Sequence, residues 1–362
     1  MGKIDLQGMD IEEITNLLKQ LQEPEYRARQ LFQWIHQKAA ISFAEMTNIP
    51  KSLQAKLASL RVFEPPKIAK IRQSQLDDTV KYLLTLSDGN TVETVRMSYL
   101  GKDIKDRHTV CVSSQVGCAM GCVFCATGLS GWRRNLTTGE ILAQVLMAQR
   151  ELQKASSEEK ITNVVFMGMG EPLLNYENVL KAIHLLNNPL GLNIGMRKIT
   201  VSTCGLVPQI YKLAEEKLPI VLAISLHAPI DMLRNKLLPI NKKYPIKMLM
   251  EACRHYIQST GRRITFEYAL IADVNDSIHH AEKLANILSG LNANVNLIPL
   301  NNVEDNVEGT GLRRSSKSKA QAFLNNLKRA GIEATFREEK GSDIEAACGQ
   351  LRRRGVEEDV FS

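Results

Sequence analysis

The sequence predicts an α/β protein built mainly on a partial (β/α)6 barrel, with an N-terminal helical domain and a β-hairpin extension before the barrel. Two observations indicate the barrel. After residue 108, six short apolar stretches alternate with six amphipathic stretches, which is the pattern of repeated βα units. The cysteines and polar residues that could carry chemistry follow the apolar stretches. Right-handed crossovers between parallel strands would curl the sheet and bring these residues to one rim.

The first 62 residues predict a small helical accessory domain. EYRARQLFQWIHQK places Leu31, Trp34 and Ile35 on one face of a helix, and KSLQAKLASL predicts another helix after Pro50. EPPK at 64–67 then interrupts the helical pattern.

The segment from residue 63 to residue 107 predicts the β-hairpin extension. VKYLLTLSDGNTVETVRMSYL has two strand-like stretches on either side of Asp88-Gly89, a pair that favours a turn. The predicted domains are the helical domain (1–62), the hairpin (63–107), the barrel (108–340) and a C-terminal segment with a basic tail (341–362).

The barrel prediction rests on six strands and six helices. The predicted strands are TVCVSS, ITNVVFMG, KITVSTC, IVLAISLHA, RITFEYALI and NVNLIPL. The predicted helices are 138–153, 177–188, 207–217, 246–260, 278–290 and 316–330. In such folds the chemistry lies at the C-terminal ends of the strands. The segments found there are CAMGCVFC, MGMGEP, Ser202–Gly205, Ser225–His227 and Asn301-Asn302.

The composition is that of a globular protein with a core, since 44% of its 362 residues are hydrophobic and 23% are charged. The chain has no long apolar run, and its start lacks the layout of a signal peptide. We therefore expect a cytoplasmic protein with no membrane partner. In that compartment, clustered cysteines are more often metal ligands or catalytic groups than disulfides.

The net charge is +7, and the excess is concentrated in GWRRNL, LRRSSKSK and LRRRG. Basic patches on a mixed surface favour a polyanionic partner, above all nucleic acid, although any single patch could be a solvated face. Aromatic residues make up only 5% of the chain, which argues against a broad stacking platform for single strands.

Three cysteines, Cys118, Cys122 and Cys125, fall within CAMGCVFC, and Cys111 lies just upstream. A structural zinc site would need four ligands, usually from two CxxC pairs, and the intervening residues here are apolar. Three thiolates on a 4Fe-4S cluster leave one iron open for a ligand. At this point an iron–sulfur enzyme and a binding protein with a structural zinc or iron–sulfur site both remain possible.

The C-x3-C-x2-C spacing after the first barrel strand resembles the radical S-adenosylmethionine (SAM) superfamily. The resemblance implies one 4Fe-4S cluster held by Cys118, Cys122 and Cys125, with SAM on the open iron as the source of a 5′-deoxyadenosyl radical. Gly170-Glu171 resembles the motif that meets the SAM amino group, where a carboxylate can accept a charge-assisted hydrogen bond.

A narrower resemblance covers nearly the whole chain. CVSSQVGC, GCVFCATG, MGMGEPL, AISLHAP, NVNLIPLN and IEAACGQLR together resemble the dual-specificity rRNA and tRNA adenine carbon-2 methyltransferase family. A sister family methylates carbon 8 of the same rRNA adenine and confers antibiotic resistance; Pro172 resembles the carbon-2 group. The family implies an adenosine of 23S rRNA at the peptidyl transferase centre, on naked or partly assembled RNA, and the adenosine 3′ of the anticodon in some tRNAs. It also implies a monomer and an electron donor such as flavodoxin or ferredoxin.

Carbon 2 of adenine is not nucleophilic, and the family's chemistry uses two SAM molecules per turnover. Cys348 matches the methyl-carrying cysteine and Cys111 the second cysteine, which releases the product from a transient protein–RNA adduct and leaves a disulfide. Glu93 matches the general base for the carbon-2 proton. The residues that match SAM contacts are Gly170, Glu171, Ser202, Ser225, Leu226, His227 and Asn301. Cys204 and Cys253 match no family cysteine. For phosphate contacts we expect the N-terminal helices, Arg133, Arg134 and the basic tail.

Overall fold

The structure, a computed structural model, describes residues 5–101, 104–301 and 311–351. Its N-terminal part contains three helices, α1 (Ile11–Gln20), α2 (Tyr26–His36) and α3 (Lys51–Ser59). A capping box between Asp10 and Glu13 starts α1 by satisfying two free backbone N–H groups. Leu31 and Ile35 of α2 are fully buried, as the apolar spacing predicts, and α3 begins directly after Pro50.

An antiparallel meander follows, and it is larger than the predicted hairpin. It consists of β1 (Lys67–Gln73), β2 (Thr79–Thr85), β3 (Thr91–Gly101) and β4 (Ile104–Cys111). The predicted hairpin is β2–β3, with its turn at Asp88-Gly89. The strand β1 was not predicted, because KIAKIRQ alternates exposed and half-buried residues at the edge of the sheet and has no apolar run.

The barrel region begins with a small hairpin around a short helix. The hairpin strands are β5 (Gln115–Gly117) and β6 (Trp132–Asn135), with α4 (Ala126–Leu129) between them. The elements that follow are α5 (Thr138–Ala155), β7 (Asn163–Phe166), α6 (Tyr176–Asn187), β8 (Ile199–Thr203), α7 (Val207–Glu215), β9 (Val221–Ser225), α8 (Asp231–Leu237), α9 (Ile246–Thr260), β10 (Ile264–Leu270), α10 (Ile278–Leu288), β11 (Ala293–Pro299), α11 (Lys317–Arg329) and β12 (Glu333–Phe336). All six predicted strands and all six predicted helices are therefore present, with shifted ends.

The main sheet has ten strands in the order β1-β2-β3-β4-β7-β8-β9-β10-β11-β12. Pairing is antiparallel from β1 to β4 and parallel from β4 to β12. The predicted sixfold barrel thus carries one further parallel strand, β12, which the sequence does not predict because EATF is short and largely exposed. The first barrel strand ends at Cys111, three residues before the end of the predicted strand TVCVSS at Ser114.

The helices of the barrel pack on the sheet through apolar faces, and the shared core extends from the N-terminal helices to β12. Among the described residues, no helix is long and apolar enough to cross a membrane. The basic tail with Arg352, Arg353 and Arg354, and also Asn302, lie outside the described residues.

Candidate active site

The three clustered cysteines line one cavity at the C-terminal ends of the parallel strands. Their loop is held in place by three backbone contacts. Cys118 N–H donates to Gly131 O at 2.9 Å, Val123 N–H to Leu237 O at 3.2 Å, and Ala126 N–H to Gly349 O at 2.8 Å. The loop is therefore fixed by the β5–β6 hairpin, by α8 and by the C-terminal segment.

The surroundings of these thiols fit an iron–sulfur cluster. Burial raises the pKa of Cys118 to about 12 and raises that of Cys122 further, and the neighbouring cysteine charges add to both shifts. A cationic cluster would remove this penalty, since metal-bound thiols are deprotonated. All seven cysteines of the chain are free thiols, so a disulfide framework is absent. Within the described ranges, no group of three or more His, Cys, Asp or Glu residues is arranged to hold a metal ion by itself.

Glu171 lies in the same cavity with its carboxylate held by backbone donors. Oε1 accepts from Leu173 N–H at 3.0 Å and Oε2 from Cys204 N–H at 2.8 Å. Burial raises the pKa of Glu171, and these hydrogen bonds oppose the rise. The preceding Gly170 has φ +101° and a Cβ there would lie 2.6 Å from that of Gln115, so this turn requires glycine. The carboxylate is thus presented to the cavity in a fixed orientation.

The strand register brings the polar residues together. Paired residues of adjacent strands point to the same face of a sheet. The pairs on the inner face are Cys111–Val165, Val165–Thr200, Ser202–Ala223, Ser225–Glu267, Glu267–Asn296 and Asn296–Thr335. Ser202, Ser225, His227 and Asn301 accordingly line the cavity with Glu171.

Leu226 is the member of the predicted SAM-contact set that the structure does not bring to the cavity. Its side chain is fully buried in the core, because strand alternation turns it away from Ser225. Its N–H donates to Glu267 O at 3.1 Å, and its carbonyl accepts from Arg234 Nε at 3.1 Å.

His227 is buried in a left-handed backbone conformation, with φ +55°. Its Nδ1 accepts from Ala269 N–H at 2.9 Å, which places the ring proton on Nε2. Burial lowers the pKa of His227 to about 3, with the nearby Arg234 charge as a second cause. The ring is therefore neutral at physiological pH and can serve as an Nε2–H donor.

Cys111 and Cys348, more than two hundred residues apart in the chain, meet beside this cavity. Both border a smaller cavity, and Cys348 also lines the larger one with the three clustered thiols. Burial, together with the charge of Cys348, raises the pKa of Cys111 to about 12. Asn301 Nδ2 donates to Cys348 O at 3.0 Å and holds the C-terminal segment against the end of β11.

Glu93 lies on the same sheet face as Cys111, two residues from Val95, the pairing partner of Cys111. It is buried, and Lys81 Nζ approaches its Oε1 at 3.1 Å. Glu93 borders neither of the two cavities described above. The structure therefore places Glu93 beside Lys81 and outside the walls of both cavities.

Two family models match the chain: the ribosomal RNA large subunit methyltransferase N-terminal domain over residues 4–62, and the radical SAM superfamily over residues 112–288. A probable dual-specificity RNA methyltransferase RlmN from Dictyoglomus thermophilum is 50% identical over 346 residues, which is 95% of each chain. The chain belongs to the RlmN family. Another RlmN relative, from Caldanaerobacter subterraneus subsp. tengcongensis, is 48% identical over 354 residues, covering 98% of this chain and 99% of that protein.

A solved structure agrees with this assignment to RlmN. The crystal structure of a radical SAM methyltransferase from Sphaerobacter thermophilus matches with a TM-score of 0.91 and 46% identity, over 96% of this chain and 99% of that one. The radical SAM fold and the family resemblance predicted from the sequence are confirmed. As a radical SAM protein of the RlmN family, the chain uses a 4Fe-4S cluster and SAM.

In this RlmN family member, three charged residues at the site were not predicted: Arg234 and Glu267 are buried, and Arg337 is half-buried. Arg234 of α8 is fully buried, and its guanidinium donates to Leu226 O, Asn241 Oδ1, Cys204 O and Ser225 O at 2.7–3.1 Å. Glu267 of β10 and Arg337, which follows β12, line the larger cavity. A lone Glu within the apolar strand RITFEYALI was the available signal for Glu267, since buried carboxylates often mark functional sites.

Arg134, one of the residues predicted to contact phosphate, binds carboxylates of the protein itself. Arg134 donates to both oxygens of Glu140 at 2.7 and 2.8 Å and to Asp88 Oδ2 at 2.7 Å. These two carboxylates raise the pKa of Arg134 and neutralise its charge. Arg133, beside it, is exposed and is the better candidate for an RNA phosphate.

Proposed function

We propose that this protein methylates carbon 2 of an adenosine in 23S rRNA at the peptidyl transferase centre, and of the adenosine 3′ of the anticodon in some tRNAs. The observation that carries the proposal is the meeting of Cys111 and Cys348 at the edge of the three-thiol cavity. Relatives named dual-specificity RNA methyltransferase, and an N-terminal domain named for the large ribosomal subunit, support RNA as the substrate. Pro172 supports carbon 2 over carbon 8.

The roles proposed for the cavity residues follow from their chemistry. Cys118, Cys122 and Cys125 hold the cluster as thiolates. The carboxylate of Glu171 receives the ammonium of SAM, because it lines the cavity and backbone hydrogen bonds to both oxygens fix its orientation. Ser202, Ser225, His227 and Asn301 supply polar groups for the remainder of the cofactor. When bound, the cluster and SAM supply the one-electron chemistry that removes a hydrogen atom from a methyl group.

Cys348 carries the methyl group. Its thiolate forms a bond to the methyl carbon of a first SAM, and the broken carbon–sulfur bond leaves its electron pair on the departing thioether. After loss of one hydrogen atom, the S-bound carbon adds to carbon 2 of the adenine. Completion of this step requires loss of one electron, for which the bound cluster would be the acceptor, and removal of the carbon-2 proton by a base, for which Glu93 is proposed.

Cys111 releases the product. Its thiolate attacks Sγ of Cys348, so the sulfur–sulfur bond forms and the sulfur–carbon bond breaks with its electron pair on carbon, where a proton completes the methyl group. The resulting disulfide requires two electrons from a reductant such as a flavodoxin or ferredoxin before the next turnover. We propose that the protein works as a cytoplasmic monomer on naked or partly assembled rRNA, because a structured ribosome encloses the base.

The test is nucleoside mass spectrometry of rRNA and tRNA from a deletion strain and from strains complemented with variants. The wild type should restore 2-methyladenosine in both RNAs, and Cys348→Ala should restore it in neither. Cys253→Ala is the matched control, because Cys253 is a buried cysteine in the core of α9, away from both cavities. Restoration of 8-methyladenosine would identify the carbon-8 activity, and restored methylation by Cys348→Ala would refute the proposed chemistry.

A further inference from the structure

Lys81 of β2 is buried where the N-terminal meander meets the C-terminal segment. Its Nζ lies 3.1 Å from Oε1 of Glu93 on β3 and donates to the backbone carbonyl of Glu345 at 3.1 Å. Oε2 of Glu345 lies 3.9 Å from the same ammonium. The side chains of Lys81 and Glu93 are only 4% and 2% exposed. One buried cation therefore joins a strand of the meander to a segment 264 residues later in the chain.

The position of Glu345 affects the course of the residues that follow it. Residues 346–348, which end in Cys348, border the smaller cavity together with Cys111. Glu345 has a left-handed backbone with φ +52°, a conformation that a residue other than glycine keeps only where its surroundings hold it. The hydrogen bond from Lys81 to its carbonyl is one of these restraints. A shift of this carbonyl would therefore move Cys348, three residues further along.

The other partner of Lys81 lies on the strand that pairs with the strand of Cys111. Val95 of β3 pairs with Cys111 of β4, and Glu93 precedes Val95 by two residues, so these three side chains share one face of the sheet. The two groups that bind the ammonium thus lie close in the chain to the two members of the cysteine pair. Lys81 consequently fixes the segment of Cys348 against the strand that pairs with Cys111.

The turn between β1 and β2 holds the same segment on its outer side. Asp343 Oδ1 accepts from the Ser74 hydroxyl at 2.7 Å, and Oδ2 accepts from Gln75 N–H at 2.8 Å. Gly341 N–H donates to Asp77 Oδ2 at 3.0 Å. These contacts bring the segment to the meander, and the buried ammonium then fixes its position beside β3.

We propose that Lys81 is a positioning residue for the two-cysteine chemistry, because it holds the segment of Cys348 where that thiol meets Cys111. The proposal rests on the roles of Cys348 and Cys111 in the proposed function. A buried ion pair is often replaceable by apolar residues without loss of stability, so its presence here is better explained by the geometry it imposes. A lysine suits this place, since its three N–H donors can bind a carboxylate and a backbone carbonyl together.

Product release is the step that depends most on this geometry. Sγ of Cys111 must reach Sγ of Cys348, and a disulfide forms only when the two Cβ atoms are roughly 3.5–4.5 Å apart. A misplacement of about 1 Å can slow a reaction between positioned groups by about 100-fold. Loss of the Lys81 contacts should therefore slow formation of the sulfur–sulfur bond.

The experiment measures formation of the Cys111–Cys348 disulfide without RNA or SAM. Unmethylated full-length chain is made by cell-free synthesis without SAM, and its cluster is reconstituted anaerobically. One equivalent of diamide, a diazene oxidant, takes two electrons and two protons from the two thiols and becomes the hydrazine. Peptide mass spectrometry of cluster-loaded protein follows the new bond. Lys81→Met should form it about tenfold or more slowly than wild type, and amide exchange over 341–348 should be about tenfold faster.

A matched control separates positioning from a general loss of stability. Gln54 of α3 is buried away from both cavities, and its Nε2 donates to Met46 O at 3.1 Å and to Ile49 O at 2.9 Å. Gln54→Leu therefore also removes two buried hydrogen bonds to the protein. It should form the disulfide within about twofold of the wild-type rate, because these bonds do not contact the C-terminal segment.

Two further variants act on the same restraint. Lys81→Arg keeps a cation with several donors and should recover part of the rate lost in Lys81→Met. Asp343→Ala removes the contacts to Ser74 and Gln75 at an exposed position, where folding is not endangered. It should slow disulfide formation by about threefold, because the segment is then held at fewer points.

The inference is overturned if Lys81→Met forms the disulfide as fast as Gln54→Leu. If Lys81→Met does not fold, Asp343→Ala decides, and a wild-type rate for that variant overturns the inference as well. Slow disulfide formation by Lys81→Met together with RNA methylation by Cys348→Ala would instead refute the proposed function, while Lys81 would still position the thiol. The two failures are therefore distinguishable.

Discussion

Replacing Arg234 by Met tests how the strand ends around the cavity are held together. The guanidinium joins the ends of β8 and β9 by donating to Cys204 O at 2.7 Å and Ser225 O at 3.0 Å, and it also binds Leu226 O and Asn241 Oδ1. Methionine fills a similar volume without donors, so these four oxygens would lose the arginine as a donor, while Leu226 O would keep the hydrogen bond from Ala228 N–H. Each acceptor left without a donor lowers the free energy of unfolding by roughly 1–3 kcal/mol. Part of this loss is offset because the variant no longer has to bury a charged guanidinium.

We therefore expect Arg234→Met to lower the free energy of unfolding by about 3–5 kcal/mol. At about 2–4 °C per kcal/mol, the melting temperature should fall by roughly 10 °C. Urea unfolding of the anaerobic protein measures the change, and iron content shows whether the adjoining thiol loop still holds its cluster. Lys236→Met is the matched control: it changes an exposed residue on the same helix and should stay within about 0.5 kcal/mol of wild type. A loss below about 1 kcal/mol for Arg234→Met would refute this reasoning.

Three other outcomes follow from the same site and core. Cys125→Ala should abolish the broad absorption near roughly 400 nm and most of the bound iron after reconstitution, whereas Cys253→Ala should keep both; retained iron with Cys125→Ala would contradict the ligand assignment. Cys111→Ala should trap a covalent protein–RNA adduct visible on a denaturing gel, because product release needs the second thiol. A Cys111→Ala variant that forms no adduct and keeps full turnover would exclude that role. Burial lowers the pKa of His36 to about 3, below its unfolded value of about 6.5. The contribution of neutral His36 to the free energy of unfolding is therefore fully present above pH 6.5 and is lost as the pH falls towards 3. The loss amounts to at most about 1.4 kcal/mol per pH unit. Urea unfolding of His36→Gln between pH 7 and pH 4 should show a smaller loss than wild type, and an equal slope would exclude His36 as a source.

Much of the fold could be predicted because its signal is local. The barrel strands are short apolar runs, such as VLAIS of β9, between amphipathic helices, and the structure confirms all six. The strands β1 and β12 carry no such signal, since KIAKIRQ and EATF are largely exposed at the two edges of the sheet. Their positions are determined by the neighbouring strand that each one pairs with, and this pairing is not encoded in the short segment itself.

The site shows the same division between local and long-range information. Cys118, Cys122 and Cys125 could be recognised because their ligand spacing lies within eight residues, and their convergence on one cavity agrees with it. Arg234 and Arg337 could not, because each looks like an ordinary basic surface residue until tertiary packing buries Arg234 and brings the half-buried Arg337 to the cavity. Leu226 shows the opposite error: the motif predicts a SAM contact, but strand alternation directs the Leu226 side chain into the core.

The C-terminal segment explains why distant parts of the chain must fold together before this site exists. Gly349 O accepts from Ala126 N–H at 2.8 Å, Leu351 O accepts from the Thr127 hydroxyl, and Cys348 O accepts from Asn301 at 3.0 Å. These contacts tie Cys348, the proposed methyl acceptor, to the thiol loop on one side and to the last part of the barrel on the other. Because Ala126 and Thr127 directly follow Cys125, any shift of the thiol loop would also move Cys348. The proposed cluster ligands and the cysteine pair are therefore held by the same contacts, and a change that displaces either loop should reduce both iron binding and the reactivity of Cys348.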